Sequence, residues 1–128
     1  MEAEEKRKLL SKIRRLLETE AVLVEGKKDV SALADAGFTV PRSIAVQGTK
    51  PERIAGKSEL NGTRVLLLFD FDEEGKRKAA EYGEILESLG IPVDRPGRKA
   101  FRALFRVRTV EDLPSALAQL KKEVDEHG

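Results

Sequence analysis

The sequence predicts an α/β protein in which helices cover both faces of a mainly parallel sheet of four strands. Two observations predict this fold class. Short apolar runs alternate along the chain with longer segments in which apolar residues recur at helical spacing. The run at residues 65–69 is apolar at every position, which is typical of a central parallel strand covered on both faces. The chain has 128 residues and no internal repeat or linker, so we expect residues 1–128 to form a single domain.

The beginning of the chain predicts a helix, a strand and a second helix. Residues 2–18 carry leucine and isoleucine at helical spacing between charged residues, which predicts an amphipathic N-terminal helix. The short apolar run at 21–24 predicts the first strand. The segment 27–36 is predicted to be helical and to end at Gly37, because glycine is common directly after a helix.

The middle of the chain predicts two further strands. Residues 43–46 are predicted to form the second strand, and a short helix is predicted at 51–58. The Asn-Gly pair at 61–62 marks a turn. The third strand is predicted at 64–69, where the apolar pattern is strongest.

The end of the chain predicts a helix, a strand and a last helix. Helical spacing of apolar residues predicts a helix over 73–89, which Gly90 ends. The short apolar segment 91–93 predicts the fourth strand. A basic segment follows at 95–108, and the leucines after it predict a C-terminal helix over 110–126.

The composition excludes several classes of active site. The chain has no cysteine, which excludes disulfides, thiolate zinc sites and thiol nucleophiles. Its only histidine is His127, which excludes a Ser-His-Asp triad and a multi-histidine metal site. The 24 basic and 23 acidic residues nearly cancel, so the chain is not a polycation. Any catalysis must therefore use carboxylates, lysine, arginine or hydroxyl groups.

The sequence shows no membrane span and no export signal. Its longest uncharged apolar run, at 65–69, is far shorter than the roughly 20 residues that a span needs. The N-terminus is charged from Glu2 onward, unlike a signal peptide. We therefore expect a cytoplasmic protein with no membrane partner. A single asparagine and two glutamines beside a charged fraction of 37% are typical of a thermophile protein.

Acidic residues follow two of the predicted strands. Glu25 follows the first strand, and Asp70 and Asp72 follow the third. Since parallel strands end at the same edge of a sheet, we expect the three carboxylates to cluster there, with Asp70 and Asp72 pointing the same way. Such a cluster needs a cation, and oxygen ligands favour Mg²⁺ or Mn²⁺. Gly26 and Gly75 are predicted to let the chain turn sharply into the following helices.

Asp29 lies in the first turn of the helix that follows Glu25. It is either a partner of the acidic site or an ordinary acidic residue that favours the positive end of the helix dipole. The sequence leaves these two interpretations equal.

The two acidic motifs together resemble those of the Toprim domain family. The family's first motif is a strand followed by a glutamate and a glycine, which Glu25 and Gly26 match. Its second motif is a strand followed by D-x-D, which Asp70 and Asp72 match, with Gly75 in the usual following position.

The resemblance extends over about residues 20–95, since the segment 46–49 is similar to the family's second strand and Gly-Thr loop. It implies the Rossmann-like Toprim fold. In this family the glutamate acts as general acid or base in nucleotidyl transfer and phosphodiester cleavage, and the aspartates hold a divalent metal. The resemblance thus implies that Glu25 is catalytic, and that Asp70 and Asp72, with Glu25 beside them, bind Mg²⁺ or Mn²⁺.

The layout is most similar to that of a small stand-alone Toprim protein. The string Glu-Gly-Lys-x-Asp at 25–29 is similar to the first motif in the catalytic domain of the bacterial 5S rRNA maturases. This narrower resemblance implies a role in RNA processing.

The basic segment predicts contact with nucleic acid. It contains six basic residues and no acidic ones, with Phe101 and Phe105 between them, in a chain of net charge +1. Alternatively, it is a solvated face that its phenylalanines fix to the core, and the lysines near the acidic motifs are ordinary surface residues. The predicted nucleic-acid contacts are Lys27, Lys28, Lys50, Arg95, Arg98, Lys99, Arg102 and Arg106.

The leading hypothesis is a divalent-metal-dependent nuclease that cleaves phosphodiester bonds in RNA or DNA. The alternative is a non-catalytic module that binds nucleic acid or protein within a larger complex. The N-terminal helix could contact a protein partner or a second copy of the chain, or it could simply cover the sheet.

Overall fold

Three parallel strands form the sheet of this protein. The computed structural model describes the backbone of residues 1–127 and the side chains of residues 1–125. β1 (Ala21–Val24) is the central strand, with β2 (Ser43–Ala45) on one side and β3 (Val65–Leu67) on the other. Both pairings are parallel, and Leu23 is in register with Ile44 and with Leu67. The predicted α/β class with a parallel sheet is therefore confirmed.

Six α-helices accompany the sheet in residues 1–127. Two single turns of 3₁₀-helix occur at Ser58–Leu60 and Val110–Asp112. None of the helices in residues 1–127 has both the length and the apolar composition of a membrane span. The helices are α1 (Ala3–Thr19), α2 (Lys27–Asp35), α3 (Pro51–Ile54), α4 (Glu73–Ser88), α5 (Arg95–Phe105) and α6 (Leu113–His127).

Apolar side chains cover both faces of the sheet. Val22 and Val24 pack on one face with side chains from α1, α2, α5 and α6. Ala21 and Leu23 pack on the other face with side chains from α3 and α4. Every residue of β1 and β3 is buried, which explains why these strands lack the alternation of a half-exposed strand. The leucine stripe of α1 lies against the first of these clusters.

The predicted fourth strand at 91–93 is wrong. Only Val93 pairs with the sheet, through an isolated parallel bridge to Val65. The Val65 N–H donates to the carbonyl oxygen of Pro92, and the Asp94 N–H donates to that of Val65. Pro92 has no N–H to donate, and Asp94 already caps the next helix. The pairing with β3 therefore cannot extend beyond this single bridge.

A side chain of α5 occupies the edge of β3 where a fourth strand would pair. The guanidinium of Arg98 donates to the carbonyl oxygens of Leu67 at 3.1 Å, Phe69 at 2.6 Å and Asp70 at 2.9 Å. It also lies 4.4 Å from the ring centroid of Phe71. Burial and then the charge of Arg102 lower the pKa of Arg98 to about 10. Arg98 was predicted to contact nucleic acid, whereas its hydrogen bonds here go to the protein backbone.

Replacing Arg98 with methionine is expected to destabilise the fold by about 2 kcal/mol, because three carbonyl oxygens lose their charged donor. Arg102→Met, one turn further along α5 at an exposed position, should change the stability by about 0.5 kcal/mol or less. Urea unfolding of both variants measures the difference. Equal stability of the two would contradict the role given to Arg98.

A carboxyl pair lies at the opposite, amino-terminal edge of the sheet. The side chains of Glu20 and Asp94 are only 5% and 3% exposed. Arg64 lies 3.5 Å from Glu20 Oε2 and 4.0 Å from Asp94 Oδ2. Within the described residues, Glu20 Oε1 and Asp94 Oδ2 have no hydrogen-bond partner. Burial, and after it the adjacent carboxyl of Asp94, raises the pKa of Glu20 to about 7.

Glu20→Gln is expected to reduce the pH dependence of stability. The pKa of Glu20 is raised from 4.5 to about 7 on folding, so the stability present below 4.5 is lost as the pH rises to about 7. The amide of glutamine does not titrate, so the variant does not lose this stability. The free energy of unfolding of the variant, relative to that of the parent, should therefore be higher at about pH 8 than at about pH 5. Urea unfolding at both values measures this, with the exposed Glu18→Gln as control. If the stability of Glu20→Gln depended on pH in the same way as that of the parent, the role given to Glu20 would be contradicted.

Candidate metal centre

Glu25 and Asp70 meet at the carboxyl edge of the sheet. Glu25 directly follows β1, and Asp70 lies three residues beyond the end of the neighbouring β3. The backbone N–H of Asp70 donates to Glu25 Oε2 at 3.4 Å, so the two acidic residues are in direct contact. The sequence predicted this meeting, because both strands end at the same edge.

Lys78 of α4 forms an ion pair with Glu25. Its Nζ donates to Glu25 Oε1 at 2.9 Å, from the second turn of α4. The side chains of Lys78 and Glu25 are 31% and 23% exposed, so the ion pair is partly shielded from water. No motif in the sequence singled out Lys78, because its contact depends on how α4 crosses the end of β1.

The connection after α5 closes over Asp70. The backbone N–H of Val110 donates to Asp70 Oδ1 at 3.0 Å. The N–H of Phe71 donates to the carbonyl oxygen of Arg108 at 2.7 Å, which ties the two segments together. These backbone contacts, which hold the Asp70 carboxyl in place, were also missed by the sequence analysis.

The pKa values of the two carboxyl groups are shifted in opposite directions. Burial, and after it the hydrogen bond to Glu25 and its charge, raises the pKa of Asp70 to about 7. Burial alone would also raise the pKa of Glu25, but hydrogen bonds from Asp70 and Lys78 outweigh it and hold this pKa below its usual value. Glu25 is thus the member of the pair that ionises first, and Asp70 keeps its proton up to about pH 7.

Asp72 and Gly75 build the start of α4. Asp72 Oδ1 accepts a hydrogen bond from the Gly75 N–H at 2.8 Å and so caps the helix. A Cβ at position 75 would lie 1.9 Å from the carbonyl oxygen of Asp70, so only glycine permits this close approach. The cap by Asp72 and the close approach at Gly75 therefore explain the spacing of these residues after Asp70. As predicted, Gly75 leaves room for the chain to turn into the helix.

Gly26 does not have the steric role that was predicted for it. Its φ is −146°, and an added Cβ would meet no atom within 4 Å. Asp29 is buried and accepts a hydrogen bond from the Gly26 N–H at 3.0 Å, which closes the first turn of α2. Burial, and the charge of Glu25 among the smaller causes, raises the pKa of Asp29. This contact favours the helix-start interpretation of Asp29.

Comparison with known proteins agrees with this arrangement. The family model described as Toprim domain matches residues 19–96, which include β1, β3 and both acidic motifs. The chain belongs to the Toprim domain family. The resemblance predicted from Glu25, Asp70 and Asp72 is thereby confirmed at the level of the family. The narrower resemblance to the 5S rRNA maturases stays a prediction.

Three similar proteins show how far the Toprim likeness extends. The DNA primase of Chlamydia pneumoniae is 35% identical over 78 residues, which make up 59% of this chain and 13% of the primase. The UPF0292 protein TV1259 of Thermoplasma volcanium is 25% identical over 117 residues, 91% of this chain and 96% of that protein. The solved structure of a protein from Aquifex aeolicus superposes with a TM-score of 0.67 and 28% identity, over 83% of this chain and 95% of the other.

The carboxylates of this Toprim domain fit a divalent cation that keeps much of its water. In the described side chains, no three carboxylate or imidazole groups lie close enough together to hold a metal ion between them. Mg²⁺ commonly uses only one or two carboxylates together with waters and substrate phosphates. The Glu25–Asp70 pair supplies that donor set, and the raised pKa of Asp70 beside Glu25 is consistent with a site that gains from a bound cation. Asp72 can offer only the oxygen that does not cap α4.

The predicted nucleic-acid contacts lie on several surfaces. Lys27 and Lys28 are exposed at the start of α2, and Lys50 is exposed after the Gly-Thr loop. Arg106 is exposed at the end of α5. Arg95 forms an ion pair with Glu87 at 2.5 Å and lines the same cleft as Lys99 and Arg102. Lys76, which the sequence analysis did not single out, faces them across it.

Proposed function

We propose that this Toprim protein cleaves phosphodiester bonds in RNA or DNA with the help of a divalent metal. The observation that supports it most is the Glu25–Asp70 carboxyl pair with Lys78 at the carboxyl edge of the sheet. The likeness to a DNA primase over the Toprim region supports nucleic acid as the substrate class. The small number of carboxylates at the edge fits Mg²⁺ or Mn²⁺.

The proposed metal ligands are Glu25 and Asp70. Asp72, the third predicted ligand, does not lie close enough in the described structure to complete a three-carboxylate site, and its Oδ1 caps α4. When bound, the metal neutralises negative charge that develops on the phosphate during cleavage. Binding it would require Asp70 to be ionised, so metal affinity should rise as the pH passes its raised pKa of about 7.

Glu25 is the proposed general acid or base. Its carboxylate is ionised because Lys78 and Asp70 donate to it, so it can accept a proton from the attacking hydroxyl group or water. Lys78 holds the carboxylate oriented, and its positive charge favours a phosphate group beside it. Val110 holds Asp70 through its backbone N–H, which leaves the catalytic pair little freedom to move.

The proposed phosphate contacts are exposed lysines and arginines around this edge and along α5. Arg98 is left out of this set, because its guanidinium already bonds three backbone carbonyl groups. The set keeps the other predicted residues, which are Lys27, Lys28, Lys50, Arg95, Lys99, Arg102 and Arg106.

A cleavage assay tests the proposal. The purified chain is incubated with structured RNA, single-stranded DNA and duplex DNA in the presence of Mg²⁺, Mn²⁺ or a chelator. We expect metal-dependent products from at least one polymer, lost in Asp70→Asn and kept in Asp35→Asn, which changes an exposed carboxylate of α2. Products that persist in Asp70→Asn would contradict the proposed site. Intact substrate in every condition, with metal and nucleic acid both bound, would favour the non-catalytic module instead.

A further inference from the structure

A cleft of about 360 Å³ lies between α4 and α5. Its apolar walls come from Leu67, Phe71, Ala79, Ala80 and Val93. The volume is within the range of small-molecule sites, which are typically about 300–1,000 Å³. The cleft lies beside β3, where the sheet has only the single bridge of Val93 instead of a fourth strand.

The rim of this cleft is strongly positive. Lys76 comes from α4, and Arg95, Lys99 and Arg102 come from α5. Among the described residues, Asp94 is the only acidic one that lines the cleft, and it is 3% exposed and caps α5. Among the described residues, Lys99 and Arg102 form no ion pair within 4.0 Å. Their charges are therefore available to an anion, in a chain whose net charge is only +1.

The cleft adjoins the candidate metal centre. Arg98 forms its inner wall, and the same guanidinium donates to the carbonyl oxygen of Asp70. Phe71, which lines the cleft, directly follows Asp70. A ligand in the cleft would thus lie next to the strand end that carries the carboxyl pair.

An apolar floor with a cationic rim fits a ligand that has a flat apolar body and anionic groups. We propose that the cleft binds one nucleotide of a single-stranded nucleic acid, with its base against the apolar walls and its flanking phosphates at Lys76, Lys99 and Arg102. The choice of a nucleic acid as the ligand rests on the proposed function. A duplex keeps its bases stacked and paired, so the cleft favours single strands.

Fluorescence anisotropy tests this proposal without depending on cleavage. The full chain carrying Glu25→Gln is titrated onto a fluorescein-labelled single strand of about ten nucleotides and onto the matching duplex, at one fixed salt concentration. Ala80→Trp fills the cleft from an exposed position of α4, and Ala103→Trp adds the same group on α5 outside the cleft. Lys99→Glu reverses one rim charge, and Lys12→Glu reverses an exposed charge on α1.

We expect the single strand to bind more tightly than the duplex. Ala80→Trp and Lys99→Glu should each weaken single-strand binding by about tenfold or more, and the two controls by about twofold or less. Two results would overturn the proposal: cleft variants that bind like their controls, or a duplex that binds as tightly as the single strand. Binding of an acidic apolar peptide in place of any oligonucleotide would overturn it as well.

The failure of this proposal can be distinguished from the failure of the proposed function. If the parent cleaves nucleic acid while Ala80→Trp binds and cleaves equally well, only the cleft proposal fails. If nothing is cleaved but the cleft variants lose binding, the cleft proposal holds and the nuclease proposal fails.

Discussion

Replacing Glu25 with glutamine is expected to lower the rate of metal-dependent cleavage by a factor of about 10²–10⁴, the usual contribution of a general acid or base. The amide has nearly the same shape as the carboxylate, but it cannot accept the proton and carries no charge for Lys78 to pair with. The rate is measured under single-turnover conditions on the polymer that the parent cleaves.

Glu84→Gln is the matched control, because Glu84 is exposed on α4. We expect this variant to cleave at the parental rate and both variants to keep their affinity for nucleic acid. Cleavage by Glu25→Gln at the parental rate would rule out an acid or base role. Loss of binding together with loss of cleavage would show that Glu25 acts in binding the substrate and not in proton transfer.

Gly75→Ala is expected to destabilise the fold by about 3 kcal/mol or more, at the upper end of what overpacking costs. The new Cβ would lie 1.9 Å from the Asp70 carbonyl oxygen and 2.4 Å from its carbon. Both are backbone atoms, which cannot swing aside as a flexible side chain would. Either the start of α4 or the end of β3 must move, and each movement displaces the Asp70 carboxyl. Urea unfolding measures the stability.

Gly26→Ala tests whether the effect is specific to the close contact. Gly26 belongs to the first acidic motif as Gly75 belongs to the second, but the surroundings of Gly26 are open. Its extended backbone suits alanine, so we expect a loss of about 1 kcal/mol or less, mainly from the weaker helix cap. Equal losses in Gly75→Ala and Gly26→Ala would contradict the steric account.

The strands β1 and β3 could be predicted from the sequence, but their places in the sheet could not: the segment 65–69 was predicted to be a central strand, whereas β1 is central and β3 lies beside it at the edge. The segment 65–69 is apolar at every position because β3 is buried on both faces, and this pattern is visible in the sequence alone. The segment 91–93 is also apolar, yet its backbone is restricted by Pro92 and by the helix cap at Asp94. Short apolar segments do not reveal which of them obtain a partner strand.

The helix α5 was predicted only as a basic segment. Its helical start contains Pro96 and Gly97, and proline is well tolerated in the first turn of a helix. The side chains of Phe101, Leu104 and Phe105 are buried along one side of this helix. The role of Arg98 depends on three carbonyl groups about 30 residues earlier in the chain, which no local pattern encodes.

The acidic residues of the candidate site were predictable because strand ends are local features. Glu25 and Asp70 each directly follow an apolar run, and the parallel topology brings them to one edge. Lys78 reaches the same point from α4, and the N–H of Val110 reaches it from the connection after α5. Such contacts depend on tertiary packing, so the sequence alone does not indicate them.

Metal binding by the carboxyl pair is the most direct test of this account. The affinity for Mn²⁺ is measured by titration with electron paramagnetic resonance at about pH 8, with circular dichroism to confirm that each variant is folded. We predict that the parent and Asp35→Asn bind Mn²⁺ equally, and that Asp70→Asn binds it about tenfold more weakly or worse. A folded Asp70→Asn variant with the parental affinity for Mn²⁺ would contradict the assignment of Glu25 and Asp70 as the metal centre.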